Sequence, residues 1–89
     1  MSELTSKTRL YTLQIFNMME QFHGEGFSDL PIHEILEMSF HCILRDQYEE
    51  EWGSIKLAYS FLMKIIPPEA PFTYKYISSL KTNIKDTEI

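Results

Sequence analysis

The amino-acid sequence predicts an all-α fold, a compact bundle of about four helices forming a single domain over residues 1–89. Apolar residues recur at three- and four-residue steps, the period of a helix that buries one face. Glycines and prolines fall between these periodic stretches and divide the chain into four pieces. The short apolar runs at residues 40–44 and 72–77 would suit strands, but neither adjoins an Asn-Gly or Asp-Gly hairpin turn.

The first predicted helix covers approximately residues 6–23. Tyr11, Ile15 and Phe22 recur along one face of it. Gly24 and Gly26 follow directly, and glycine is the usual residue at a helix C-terminus. We therefore expect the first helix to stop at this pair of glycines.

The second predicted helix covers approximately residues 31–48. Ser28 or Asp29 can cap its start, and Pro31 is tolerated in a first helical turn. The two sides of this helix differ sharply in polarity. Its apolar side carries Ile32, Ile35, Leu36, Phe40, Ile43 and Leu44, and its polar side carries His33, Glu34, Glu37, His41 and Arg45.

The remaining two helices are predicted at approximately residues 54–66 and 71–84. Ser54 is the expected cap of the third helix, since Gly53 precedes it, and Pro67 with Pro68 ends that helix. Both helices carry a core stripe at helical spacing. The stripes consist of Ile55, Ala58, Tyr59, Leu62 and Ile65 or Ile66 in the third helix, and Thr73, Tyr76, Ile77, Leu80 and Ile84 in the fourth.

The charge and cysteine content narrow the choice of partner and location. Thirteen acidic against eight basic residues give a net charge of −5, which repels nucleic acid and anionic membranes at long range. A local basic patch from Lys75, Lys81 and Lys85 is the one exception we expect. The chain has a single cysteine, no basic start followed by an apolar run, and no apolar stretch long enough for a bilayer. We expect a cytoplasmic protein that does not enter membranes.

The acidic segment, residues 46–52, is the most unusual part of the sequence. It gathers four carboxylates and two aromatic side chains near the predicted end of the second helix, where each carboxylate is disfavoured by roughly 0.3–1 kcal/mol. Binding would explain a placement that stability does not, with Tyr48 or Trp52 as the anchor. The predicted partner-binding residues are Asp46, Tyr48, Glu49, Glu50, Glu51 and Trp52. The alternative is a solvated turn with Trp52 folded into the core.

Metal binding and catalysis receive less support from the sequence. His33, Glu37 and His41 follow each other at four-residue steps and so share one side of a helix. Zinc usually needs a fuller ligand set, and no Cys-x-x-Cys or His-Glu-x-x-His pattern accompanies them. A polar stripe, or histidines bonded to a neighbouring helix, is the default interpretation. Cys42 and His41 point about 100° apart on a helix and cannot pair as nucleophile and base.

We therefore expect neither an enzyme nor a cofactor, but a protein that binds another protein stoichiometrically. Its target would present a basic surface, and its role would be that of an inhibitor, immunity protein, antitoxin or adaptor. In size, charge and helix content the chain resembles toxin-neutralising immunity proteins, a likeness of bulk properties that carries no shared motif. Two alternatives stay open: a regulator of nucleic-acid machinery that mimics phosphate charge, and a metal-binding helical protein.

Overall fold

Four α-helices and one π-helical turn make up most of residues 5–85, the part of the chain that the computed structural model describes. The all-α prediction is confirmed, since this part of the chain contains no strand. The elements in chain order are α1 (Ser6–Phe22), the π-helical turn (His23–Phe27), α2 (Ile32–Arg45), α3 (Glu49–Ile65) and α4 (Tyr74–Lys85).

Both ends of α1 follow from local chemistry. Thr5 is its N-cap, and the Thr5 hydroxyl accepts a hydrogen bond from the Thr8 amide at 3.1 Å. At the other end the chain passes into the π-helical turn, where Gly26 has φ of +103°. Only glycine adopts that backbone conformation without strain, so the stop predicted here is confirmed.

Contacts between distant residues fix the directions of the helices. Tyr11, near the start of α1, bonds Glu51 in the first turn of α3, so α1 and α3 run parallel. His33, near the start of α2, bonds the Ile66 carbonyl that follows α3, so α2 runs opposite to α3. The ring of His23, just after α1, lies 4.1 Å from that of Tyr74 at the start of α4, and Arg9 near the start of α1 donates to the carbonyl of Lys85 at the end of α4, so α4 is antiparallel to α1. The helices alternate up and down, with α1 touching the other three.

The core forms where the apolar faces of α1, α2 and α3 meet. Phe16 on α1, Leu36 on α2 and Leu62 on α3 are completely buried. Phe40 and Tyr59 stack with ring centroids 4.2 Å apart and join α2 to α3. Most of the predicted stripe residues are buried. The buried apolar set is Tyr11, Ile15, Phe16, Met19, Ile32, Ile35, Leu36, Phe40, Ile55, Ala58, Leu62, Ile66, Phe72, Ile77 and Ile84.

The boundary between α2 and α3 differs from the prediction. The second helix ends at Arg45, not at Tyr48, and α3 begins at Glu49, not at Ser54. Gly53 lies inside α3, where glycine costs only about 1 kcal/mol relative to alanine. Three carboxylates in the first turn offset this cost, because they favour the positive end of a helix. The glycine therefore does not interrupt the helix, and the expected Ser54 cap is wrong.

Two smaller expectations about helix starts are also wrong. Pro31 stands at the N-cap of α2, which has no side-chain cap, so neither Ser28 nor Asp29 serves that purpose. The fourth helix begins at Tyr74, three residues later than expected, because Pro71 and the two residues after it stay outside the helix. Thr73 accepts a hydrogen bond from the Tyr76 amide at 3.1 Å just before α4.

Candidate functional site

The acidic segment forms the tight connection between α2 and α3 together with the first turn of α3. Asp46 follows the last residue of α2, and its amide bonds the Ile43 carbonyl at 3.2 Å. Tyr48 is the N-cap of α3 in an extended conformation, and its carbonyl accepts from the Glu51 amide at 2.9 Å. The segment thus turns the chain by hydrogen bonds of its own backbone. Its six predicted site residues fall into an inward and an outward group.

Trp52 belongs to the inward group. Its ring is half-buried and packs against the core. Its indole N–H lies 3.1 Å from the Leu44 carbonyl and 3.3 Å from the Gln47 carbonyl, and it donates to both. These carbonyls belong to the last turn of α2 and the connection after it, so one side chain ties both to α3.

Glu51 is the second inward residue. Its carboxylate accepts a hydrogen bond from the Tyr11 hydroxyl at 2.8 Å and pairs with the Lys7 ammonium at 3.1 Å. The hydrogen bond from Tyr11, with the bond from Lys7, lowers the pKa of Glu51. The same hydrogen bond to Glu51 raises the pKa of Tyr11, because it favours the protonated phenol. The negative charge of Glu51 is therefore already paired within the fold.

The outward group consists of Asp46, Tyr48, Glu49 and Glu50, all exposed. Tyr48 is 81% exposed, the highest value among the large apolar or aromatic side chains left exposed within residues 5–85. None of the three carboxylates makes an ion pair within residues 5–85. The neighbouring Arg45 guanidinium donates to the Cys42 sulfur at 3.8 Å instead.

Of the four carboxylates predicted to oppose a helix dipole, only Asp46 lies at a helix C-terminus, as the C-cap of α2. Glu49 and Glu50 lie at the N-terminus of α3, where the helix dipole favours negative charge, not at a helix C-terminus. Their presence in the sequence is thus compatible with helix stability. What stability does not explain is Tyr48, whose aromatic ring contributes little to the core while it stands in water.

The three candidate metal ligands of α2 are not brought together. His33 is half-buried, and its Nε2 lies 2.6 Å from the Ile66 carbonyl, so it links α2 to the end of α3. Glu37 and His41 face solvent as an exposed pair 3.8 Å apart. Among the described residues no group of three or more acidic, histidine or cysteine side chains is arranged to hold a metal ion.

Two contacts of this site were not predicted from the sequence. The sequence places Tyr11 on the apolar face of the first helix and predicts no contact for Lys7. Both bind Glu51, which is 40 or more residues away in the chain. Local spacing holds no signal for such a contact, because it depends on how α1 and α3 pack.

Comparisons with known proteins leave this site to be interpreted on its own geometry. The chain matches no protein family model, no curated protein and no solved structure. Within residues 5–85, no helix combines the length and the apolar character that crossing a membrane requires.

Proposed function

We propose that this protein binds another protein, and that its contact surface is the outward group Asp46, Tyr48, Glu49 and Glu50. The target presents a basic surface, and binding is stoichiometric, as for an inhibitor, immunity protein, antitoxin or adaptor. The observation that carries the proposal is the 81% exposed ring of Tyr48 among three unpaired carboxylates.

Exposed tyrosine is suited to an anchoring role. Tyrosine is enriched among the residues that dominate binding energy, because a rigid amphipathic ring buries much area with few rotatable bonds. The three carboxylates around it would contribute mainly to the rate of encounter with a basic partner. Their arrangement, an aromatic centre with a charged rim, follows the usual anatomy of a protein interface.

The surface is also held in place before any partner arrives. Trp52 fixes the connection from the α3 side, and the bonds of Glu51 to Tyr11 and Lys7 fix it from the α1 side. A surface that is already ordered loses little conformational entropy on binding, which favours affinity. Glu51 and Trp52 are thus proposed as supports of the surface and not as contacts.

Comparative capture from the source cells tests this proposal. Immobilised wild-type protein and a variant with Tyr48→Ala, Glu49→Gln and Glu50→Gln are exposed to the same lysate, and bound proteins are quantified by mass spectrometry. We expect a protein with a basic surface to be retained by the wild type and depleted at least about tenfold on the variant. Binding by the purified candidate protein, measured directly, then confirms the interaction.

A matched control variant guards against general charge effects. Replacing Glu25, Glu34 and Glu69 with Gln removes three exposed carboxylates elsewhere in the chain, one more than the two that the test variant removes. This control should retain the same partner as the wild type. Equal capture by the wild type and by the variant with Tyr48→Ala, Glu49→Gln and Glu50→Gln would contradict the proposed surface.

A further inference from the structure

The outer face of α3 carries a second feature, which the acidic segment does not explain. Five residues repeat at alternating three- and four-residue steps and therefore lie on one stripe of the helix. All five residues are exposed, as expected for one outward-facing stripe. This α3 stripe consists of Glu50, Gly53, Leu57, Ser60 and Lys64. Leu57 stands at its centre and is 61% exposed.

The α3 stripe is complementary to itself when reversed. Glu50 lies seven residues before Leu57 and Lys64 lies seven residues after it. If two copies pack antiparallel with their Leu57 side chains in contact, Glu50 of each copy faces Lys64 of the other. Neither of these two side chains has a hydrogen-bond or ion-pair partner within residues 5–85, so both are available for such pairs.

The same antiparallel register places Gly53 of one copy opposite the aromatic ring of Phe61 of the other. Gly53 lies four residues before Leu57 and Phe61 lies four residues after it, so the half-buried Phe61 ring of one copy comes over Gly53 of the other. A Cβ added at Gly53 would meet nothing within 4 Å, so the fold of the single chain does not need glycine there. Glycine inside α3 lowers helix stability, and a closely packed neighbouring helix would account for its presence.

We propose that the α3 stripe is a self-association surface, on which two copies of this chain pack their α3 helices antiparallel about a twofold axis at Leu57. Such an isologous contact closes on itself and gives a dimer. A single pair of helices covers less area than the roughly 800 Å² per partner of a standard interface. The dimer is therefore weak, and each copy carries a charge of −5 that opposes it.

This inference stands apart from the proposed function. Tyr48 precedes α3 and lies outside the α3 stripe, whereas Glu50 belongs to both surfaces. Tyr48→Ala should therefore leave the dimer intact, and Leu57→Gln should leave capture of the basic partner intact. Each of these variants tests one proposal without the other.

Charge reversal tests the antiparallel register directly. Sedimentation equilibrium over a range from about 10 µM to 1 mM measures the dimer of the full chain. Glu50→Lys and Lys64→Glu should each weaken self-association about tenfold, since two opposed pairs become repulsive in either homodimer. An equimolar mixture of the two variants should associate at least as well as the wild type, because its cross-pairs are again of opposite charge. Lys75→Glu, an exposed charge reversal on α4, should change the dimer far less.

Cross-linking at the twofold axis gives a second measurement. In a Cys42→Ser background, Leu57→Cys should form an intermolecular disulfide under mild oxidation, and Ser79→Cys on α4 should not. Circular dichroism of each variant checks that its helix content is unchanged. A chain that is monomeric throughout the concentration range overturns the proposal. So does a dimer in which mixing the two charge variants restores nothing, because that dimer uses another face or register.

Discussion

At the scale of single residues, neighbours in the acidic segment differ in what they touch. Tyr48 stands in solvent, whereas Trp52 packs on the core and donates its indole N–H to two backbone carbonyls. Tyr48 and Trp52, either of which the sequence allows as the anchor, therefore occupy different environments. Substitution of Trp52 should therefore lower stability, whereas substitution of Tyr48 should weaken binding.

Trp52→Ala should lower the free energy of unfolding by about 2–3 kcal/mol, less than the 3–5 kcal/mol typical of a fully buried tryptophan. Trp52→Phe should retain much of the packing and lose about 1 kcal/mol with the hydrogen bonds. Tyr48→Ala, the matched exposed variant, should stay within about 0.5 kcal/mol of wild type. Urea denaturation followed by circular dichroism measures all three. A Tyr48→Ala variant as unstable as Trp52→Ala would refute this division.

The bonds of Glu51 predict how stability depends on pH. Its pKa in the fold lies below the ordinary value of 4.5, so its contribution to stability is present above that pH and is lost as the pH falls through the lowered pKa. The pKa of Tyr11 lies above its ordinary value of 10.0, so a further loss should begin as the pH rises past 10. The hydrogen bond between these side chains is the largest cause of both pKa shifts, and the Lys7 ammonium adds to that of Glu51.

Glu51→Gln should therefore flatten the acid side of the stability profile between about pH 5 and pH 3. Glu69→Gln is the control, since Glu69 is exposed, lies outside the helices and has no partner within residues 5–85, and it should change that slope less than Glu51→Gln does. Denaturation midpoints measured at half-unit pH steps give the comparison. Identical acid slopes in Glu51→Gln and wild type would show that the bond to Tyr11 does not form in solution.

At the scale of helices, α3 shows both what the sequence predicts well and what it does not. The stripe of Ile55, Ala58 and Leu62 follows from periodicity alone and is buried. The start of the helix does not follow from local preference, because Gly53 suggests a break that the rest of the fold overrides. The bonds of Trp52 to the end of α2 and of Glu51 to Tyr11 extend α3 by five residues. Those bonds depend on tertiary packing.

The two glycines within or beside helices should respond oppositely to alanine. Gly53→Ala should raise the free energy of unfolding of the monomer by about 0.5–1 kcal/mol, since the site is helical with open space around it. Gly26→Ala should lower it by about 1 kcal/mol or more, since φ there is +103°. Thermal and urea denaturation at low micromolar concentration, where self-association is negligible, would measure both. Stabilisation by Gly26→Ala would contradict the backbone described here.

At the scale of the whole molecule, α4 is attached differently from the other helices. It packs chiefly on α1, through Ile77 and Ile84 and the bond of Lys81 to Glu20, while α1, α2 and α3 all contact one another. Elements with fewer buried contacts open at lower free energy. We expect α4 amides to exchange with deuterium faster than those of α2 by at least about tenfold. Exchange followed by mass spectrometry tests this, and equal protection of α2 and α4 would contradict it.

The sequence was sufficient for the fold class and most of the core, because amphipathic periodicity reports directly on which side of a helix is buried. The sequence also identified the acidic segment, but it placed Glu49, Glu50 and Glu51 near the C-terminus of the second helix, whereas they lie in the first turn of α3. It did not show which of Trp52 and Tyr48 is exposed. That difference depends on the partners of each side chain, such as the Leu44 carbonyl for Trp52, and on the parallel packing that brings Tyr11 to Glu51.

The outward group of the acidic segment is proposed to bind a protein with a basic surface. The most direct test of this proposal is the association rate of the captured partner with wild type and with an Asp46→Asn, Glu49→Gln and Glu50→Gln variant, at 50 and 300 mM salt. We predict association at low salt to be about tenfold slower in the variant, with a weaker salt dependence. The fold should stay intact, with a melting temperature lowered by at most several degrees, because Glu49 and Glu50 favour the N-terminus of α3. The same association rate and salt dependence in both proteins would contradict the claim.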